Sequence, residues 1–229
     1  MPVSDLTVAA QDYLKLIWLA AEWSGAPITI SGMAARQGVS ASTVSEGVRK
    51  LADQGLVSHS RYGSIELTAV GREYAMVMVR RHRLLETFLA KVLGYAWDEV
   101  HDEAEVLEHV VSDTLMARID ALLDHPARDP HGDPIPASDG RTYHPQAHQL
   151  SAAVAGQKVT ICRVSDADPA LLRYFSGLGL TPDSELTVKD RRPHSAGLTV
   201  RVAGWEEDVD LGVPALDAVW VTPVQTDQT

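Results

Sequence analysis

The chain has a single cysteine, Cys162, among its 229 residues. One thiol cannot close an intrachain disulfide, and it cannot build a zinc ribbon. The expected compartment is therefore a reduced cytoplasm. Long apolar runs are missing too. None approaches the roughly 20 residues of a membrane span, and no secretory signal is visible at the N-terminus, so no membrane partner is expected. No internal repeat is visible. Positive charge is also scarce, with 20 Lys+Arg against 31 Asp+Glu for a net −11. An acidic chain is a poor nucleic-acid partner unless its charge is unevenly spread.

The charge is uneven. Residues 1–83 hold nine Lys/Arg and seven Asp/Glu, for +2. Residues 84–150 hold four and thirteen, for −9, and residues 151–229 hold seven and eleven, for −4. The N-terminal third is the only segment that is not acidic, which suggests a division of labour, although a solvated acidic face would look the same.

Periodicity places the elements. Tyr13, Leu14, Ile17, Trp18 and Ala21 recur at helical spacing, which predicts an amphipathic helix from about Thr7 to Trp23. A second short helix is expected from Ser31 to Gly38. A third runs from the N-cap Ser40 to Gln54, with Gly55 beyond it and Val44, Val48 and Leu51 as its apolar stripe. Strand-like pieces Leu56–Ser58 and Ile65–Leu67 flank a turn at Tyr62-Gly63. Two helices, a tight turn and a small hairpin predict a winged helix-turn-helix over residues 1–72. Long helices are expected from Thr68 to Leu93 and from Trp97 to Leu123. A stretch over 125–150 rich in Pro, His, Asp and Gly, including Asp129-Pro130-His131-Gly132-Asp133-Pro134, reads as a boundary or extended linker at the end of a helical metal-binding and dimerisation segment, 73–150. After Ala153, five short strands (Val159–Val164, Glu185–Lys189, Leu198–Val202, Val209–Leu211, Val219–Val221) and a helix over Pro169–Leu178 predict a small SH3-like β-barrel, 151–229. The expected class is mainly α, with this barrel at the C-terminus.

The most informative stretch is His101-Asp102-Glu103-Ala104-Glu105-Val106-Leu107-Glu108-His109. On a helix His101, Glu105, Glu108 and His109 share one face. Two carboxylates and two imidazoles so crowded would repel or lie unsatisfied if buried, and a divalent ion would relieve both problems. On an isolated helix a solvated face is the commoner outcome. His82 and Glu86, an i,i+4 pair upstream, together with Asp12, shift the balance toward a metal site of oxygen and nitrogen donors. His125, His131, His144 and His148 are read as surface residues, and Cys162 as a small core residue.

Four segments carry a family resemblance. They are Gln11-Asp12-Tyr13-Leu14, Ser40-Ala41-Ser42-Thr43-Val44-Ser45, Arg80-Arg81-His82-Arg83-Leu84-Leu85-Glu86, and the run from Val100 to Asp113. In order and spacing from about residue 7 to 125 they resemble the diphtheria toxin repressor family of metal-dependent transcription regulators, in particular its manganese-responsive members. The C-terminal part resembles that family's SH3-like (FeoA-like) domain more loosely. The resemblance implies two metal positions per subunit. One would use Asp12, Glu105, Glu108 and His109. The other would use His82, Glu86 and His101, with Asp168 as a contribution from the C-terminal domain. In the iron-responsive relatives sulfur residues hold the places of Asp12 and Glu105. Carboxylates there suit Mn2+, with Fe2+ the runner-up, and Zn2+ or Co2+ can substitute in vitro by the Irving–Williams order. Lys15 stands where the smaller manganese regulators place a second acidic ligand.

The resemblance also implies a homodimer, joined through residues 73–125, that presents two recognition helices to double-stranded operator DNA. Ser40, Ser42, Thr43, Ser45, Glu46, Arg49 and Lys50 of the third helix are candidate DNA contacts, with Arg36, Arg61 and Arg72 at phosphates and Tyr62 at the wing tip. The expected function is a Mn2+-activated repressor of manganese uptake genes, with an Fe2+-responsive repressor as the alternative. A metalloenzyme is the competing class. It is disfavoured because no His-Glu-x-x-His or di-iron Glu-x-x-His spacing occurs and nothing marks a nucleophile. A metal-independent winged-helix protein is a third class, and it would leave the crowded acids unexplained.

Overall fold

A computed structural model describes residues 3–23, 25, 27–59, 63–191 and 197–224. The chain divides into two compact units. The first comprises residues 1–82, 105–118 and 136–141, and the second comprises 83–104, 119–135 and 142–229.

In the first unit, helix α1 (Val8–Glu22) starts at Thr7, whose side chain accepts from Ala10 N. A two-residue strand β1 (Ile28–Thr29) leads into α2 (Ile30–Gln37), which stops at Gly38 with φ 64°. That left-handed cap costs a glycine little. Helix α3 (Ala41–Asp53) follows after only three residues, capped by Ser40 Oγ on Thr43 N. Strands β2 (Val57–His59) and β3 (Ser64–Leu67) form the wing, with β1 added on the far side of β3 in the order β1-β3-β2. Leu14, Ile17, Met33, Val44, Val48, Leu51 and Ile65 close one core. This is the expected winged helix-turn-helix, with a third strand that a two-residue run could not announce. Arg61, a phosphate-contact candidate, and Tyr62, assigned to the wing tip, lie outside the described residues.

Helix α4 (Ala69–Leu93) is capped by Thr68, whose Oγ1 accepts from Gly71 N at 3.1 Å. The expected single helix over 97–123 is instead two: α5 (Val100–Leu107) and α6 (Asp113–Leu122). The break falls at Glu108–Ser112. Val110 N and Val111 N still bond back to Leu107 O, and Ser112 Oγ restarts the helix by accepting from Leu115 N. Glu108 and His109 therefore sit in a turn rather than on a continuing helical face.

The second unit holds an antiparallel sheet of six strands: β4 (His148–Gln149), β5 (Lys158–Val164), β6 (Glu185–Arg191), β7 (Leu198–Val202), β8 (Val209–Leu211) and β9 (Val219–Pro223). Their order is β4-β9-β5-β6-β7-β8. Alternate residues of β5 and β7 point into a core of Val159, Ile161, Leu186, Val188, Val200, Val221 and Phe175. Its edge strands, β4 and β8, are not paired with each other among the described residues, so the predicted barrel is an SH3-like sheet that does not close. Helix α7 (Pro169–Gly177) matches expectation, whereas α8 (Val213–Asp217) was too short to read from periodicity.

Candidate metal centres and nucleic-acid face

The first unit brings Asp12 of α1, Glu105 of α5, and Glu108 and His109 of the turn after α5 together, with one potential ligand atom from each within 4.8 Å of the others. The hydrogen bonds around His109 set its tautomer. Gln11, only 3% exposed, donates its amide to Leu6 O at 3.0 Å and Val3 O at 3.3 Å. Its Oε1 must then accept from His109 Nδ1, 2.9 Å away. Nε2 of a neutral His109 consequently carries a lone pair, and it faces Asp12 Oδ1 at 3.0 Å. Asp12 Oδ1 is buried without a well-formed hydrogen bond. Two electron pairs pointing at each other need a proton or a metal ion between them, and burial raises the Asp12 pKa despite His109 and Lys15 nearby. The donor set and this facing pair both fit a divalent cation.

Lys15, one turn after Asp12, is buried in the same cluster. Its Nζ lies 2.5 Å from Glu105 Oε1 and 2.6 Å from Glu108 Oε1. Burial alone would depress the lysine, but Glu108 and Glu105 override it and hold the ammonium above the ordinary lysine value. Glu108, fully buried, is also 2.6 Å from His82 Nδ1. Burial would raise its pKa, but the His82 and Lys15 contacts keep it low and ionised.

The second unit holds a second group. His101 Nδ1 lies 3.5 Å from Glu86 Oε1 and 3.2 Å from Asp166 Oδ2. Burial opposes its protonation, but hydrogen bonds to Asp166 and Glu86 prevail and its pKa is pushed up to about 10. Asp166 is correspondingly held below the carboxylate range by His101, against the effect of burial. Glu86 also belongs to a fully buried set with Asp129 and His131. His131 Nε2 donates to Trp97 O at 2.7 Å, which leaves an Nδ1 lone pair aimed toward Glu86 Oε2 at 3.9 Å. That Nδ1 has no hydrogen bond. Burial, with Asp133 and Glu86 close by, pushes Asp129 well above its usual range. Here too the donors and an unsatisfied imidazole nitrogen fit a cation.

Two sequence expectations change in this group. Asp168 is the N-cap of α7, where its Oδ1 accepts from Ala170 N at 2.9 Å because Pro169 opens the helix. The carboxylate beside His101 is Asp166, two residues earlier. His131, read as a surface residue, is fully buried and stacks on Trp97, with ring centroids 5.8 Å apart. Asp129, Asp166 and His131 were all missed. The Asp-Pro-His-Gly-Asp-Pro composition that suggested a linker gave no sign of burial. His82, one turn before Glu86 on α4, makes its closest contact in the first unit, with Glu108.

On α3, Ser42, Thr43, Ser45, Glu46, Arg49 and Lys50 are all exposed, away from the buried Val44, Val48 and Leu51. The Ser40 hydroxyl is engaged in capping and lies 2.8 Å from both Ser42 Oγ and Thr43 Oγ1. Glu46 and Lys50 form an exposed i,i+4 pair at 2.8 Å. Arg36 lies exposed in the last turn of α2.

Three family models match in succession: the iron dependent repressor N-terminal DNA binding domain over residues 5–65, the iron dependent repressor metal binding and dimerisation domain over 68–137, and the FeoA domain over 148–223. The diphtheria toxin repressor of Corynebacterium diphtheriae is 35% identical over 84% of this chain and 89% of its own length. The iron-dependent repressor IdeR of Mycobacterium leprae is 29% identical over 97% of this chain. Among solved structures, a manganese-dependent transcriptional repressor in complex with manganese is 57% identical with a TM-score of 0.90, covering 94% of this chain and all of that one. ScaR with bound Cd2+ is 31% identical with a TM-score of 0.80, covering 94% and 99%. Model matches across both repressor domains and a relative this similar over most of its length place the chain in the iron-dependent repressor family of metal-dependent, DNA-binding transcriptional repressors.

Proposed function

We propose that the protein is a Mn2+-activated repressor that binds operator DNA as a cytoplasmic homodimer and controls manganese uptake genes. The observation that carries the reading is the meeting of Asp12 with Glu105, Glu108 and His109. Asp12 and Gln11 belong to the first helix of the winged domain, whereas the other three belong to the segment matched by the metal-binding and dimerisation model. A divalent cation there would neutralise the carboxylates and supply fixed coordination directions. Asp12 would then be tied to Glu105, Glu108 and His109, which holds α1, and with it α3, at one spacing from the dimer partner's recognition helix. Metal and DNA would tighten each other's binding by the same factor.

The second position would use Glu86, His101, His131 and Asp166 of the second unit. Oxygen and nitrogen donors without a thiolate favour Mn2+ over softer ions at cellular availability. The manganese-dependent repressors among the similar structures support the same choice. Iron is the competing metal, since the sequence relative IdeR is an iron-dependent repressor. A dimer is supported by the exposed Val106, Val110 and Leu115, apolar side chains within the matched dimerisation segment.

The test is fluorescence-anisotropy titration of promoter DNA from a manganese-transporter gene, with Mn2+, Fe2+ or chelator at fixed salt. Binding is expected only with metal, and at lower Mn2+ than Fe2+. Asp12→Ala should abolish the metal dependence. Full binding in chelator would refute the reading.

A further inference from the structure

Lys15 is 5% exposed, and an ammonium is rarely that buried without compensation. Its surroundings have the composition of a cation site: Glu105 Oε1 at 2.5 Å, Glu108 Oε1 at 2.6 Å and His82 Nδ1 at 3.5 Å. An ordinary buried ion pair has one carboxylate partner. Here Nζ bridges two, and both are among the four candidate metal ligands. Glu108 Oε1, the oxygen that Lys15 holds, is also approached by His109 Nε2 at 3.6 Å, while His82 Nδ1 holds Oε2 at 2.6 Å. The cluster thus offers two adjacent cation positions sharing Glu105 and Glu108.

We propose that the Lys15 ammonium is a tethered cation occupying the second of these positions, so that the cluster accepts one divalent ion and holds it less tightly than its carboxylates alone would. This rests on the reading of Asp12, Glu105, Glu108 and His109 as metal ligands. Two divalent ions would bring four positive charges to three carboxylates. One ion plus Lys15 brings three, which matches them. The lysine also keeps Glu105 and Glu108 together before metal arrives, because like charges otherwise push apart. Metal entry then requires those carboxylates to be shared with a cation that cannot diffuse away.

The experiment compares full-length wild type with Lys15→Met, Lys15→Arg, Lys15→Glu and Asp12→Ala. Bound Mn2+ is counted by equilibrium dialysis, and the electron paramagnetic resonance spectrum is recorded at saturation. Lys15→Met should bind the wild-type number of ions, with about tenfold higher affinity at this cluster because a unit positive charge beside the ion is gone. Lys15→Glu should bind one more ion per chain and show the spectrum of an exchange-coupled Mn2+ pair. Lys15→Arg keeps the charge and should keep the wild-type count, which covers the case in which the methionine variant does not fold. An uncoupled spectrum with no added ion in Lys15→Glu, or Lys15→Met binding no tighter, overturns the proposal. Asp12→Ala separates the two failures. If it loses no ion, the metal-site reading itself is wrong; if it loses one while the Lys15 variants match wild type, only the role of Lys15 falls.

Discussion

Gly47 of α3 lies against the ring of Tyr13 of α1 so closely that a Cβ on it would stand 2.2 Å from Tyr13 Cε2. Tyr13 follows Asp12 directly in sequence. The helix that carries a candidate ligand is therefore packed, through the next residue, onto the candidate recognition helix. Close-packed contacts of this kind transmit displacement rather than absorb it. Gly47→Ala should force the two helices apart at an overpacking cost of about 1–3 kcal/mol. The expected outcome is weakened operator binding at saturating metal, with Mn2+ affinity largely retained in calorimetry. Unchanged DNA affinity would show that α1–α3 packing does not set the recognition geometry.

Gln11 fixes His109. Its side chain is anchored by two backbone carbonyls, and it leaves His109 no choice of tautomer. Gln11→Leu keeps the volume and removes the acceptor. Mn2+ affinity should fall about 10- to 100-fold, the usual loss when the group orienting a ligating imidazole is removed, with the metal-free melting temperature little changed. A variant that binds Mn2+ like wild type would show that His109 orients itself.

The second centre should be sensitive to pH through His101. Its pKa of about 10 means that the metal-free protein holds it as a cation at neutral pH. A ligating imidazole must give up that proton, so Mn2+ affinity there should rise with pH, with proton release detectable as a buffer-dependent binding enthalpy. The stability effect has the opposite sense. A folded pKa raised above the unfolded value of about 6.5 stabilises fully below that pH and loses its contribution as pH climbs through about 10. The denaturation midpoints of metal-free wild type and His101→Gln should converge near pH 10. A gap that widens between pH 7 and 10 would contradict this.

Val106 and Val110 are 68% and 77% exposed, unusually open for residues flanked by a buried cluster. If this face joins two copies, the double variant Val106→Glu, Val110→Glu should elute as a monomer in light-scattering chromatography. It should also bind operator at least tenfold more weakly, because a single winged domain reads only half of a palindrome. A dimer of normal affinity would move the interface elsewhere.

Much of the fold was legible because it rests on local rules. The apolar stripe of α3, the start of α1 near Thr7, the caps Ser40 and Thr68, and the alternation along β5 and β7 are short-range patterns. The break between α5 and α6 was not legible, since Glu108, His109 and Val110 are acceptable helix residues. Their turn is held by contacts to Lys15 and His82, far away in sequence. Asp166 was missed for Asp168 because a carboxylate two residues along a loop looks equivalent until Pro169 starts a helix that claims one of them. His131 was hidden by polar, Pro-rich neighbours that normally mark exposed chain.

The sequence by itself determined the donor types and the winged helix-turn-helix, because side-chain chemistry and helical period are properties of short segments. Only the tertiary structure decided which donors meet. His101 and Glu105 lie one turn apart on α5, yet His101 joins Glu86 and Asp166, while Glu105 joins Lys15 and the Asp12 cluster. It also turned Lys15 from a departure from a ligand pattern into a buried cation between two carboxylates. Such partnerships depend on burial and on charges distant in sequence, whose cost and compensation arise only once the chain has packed.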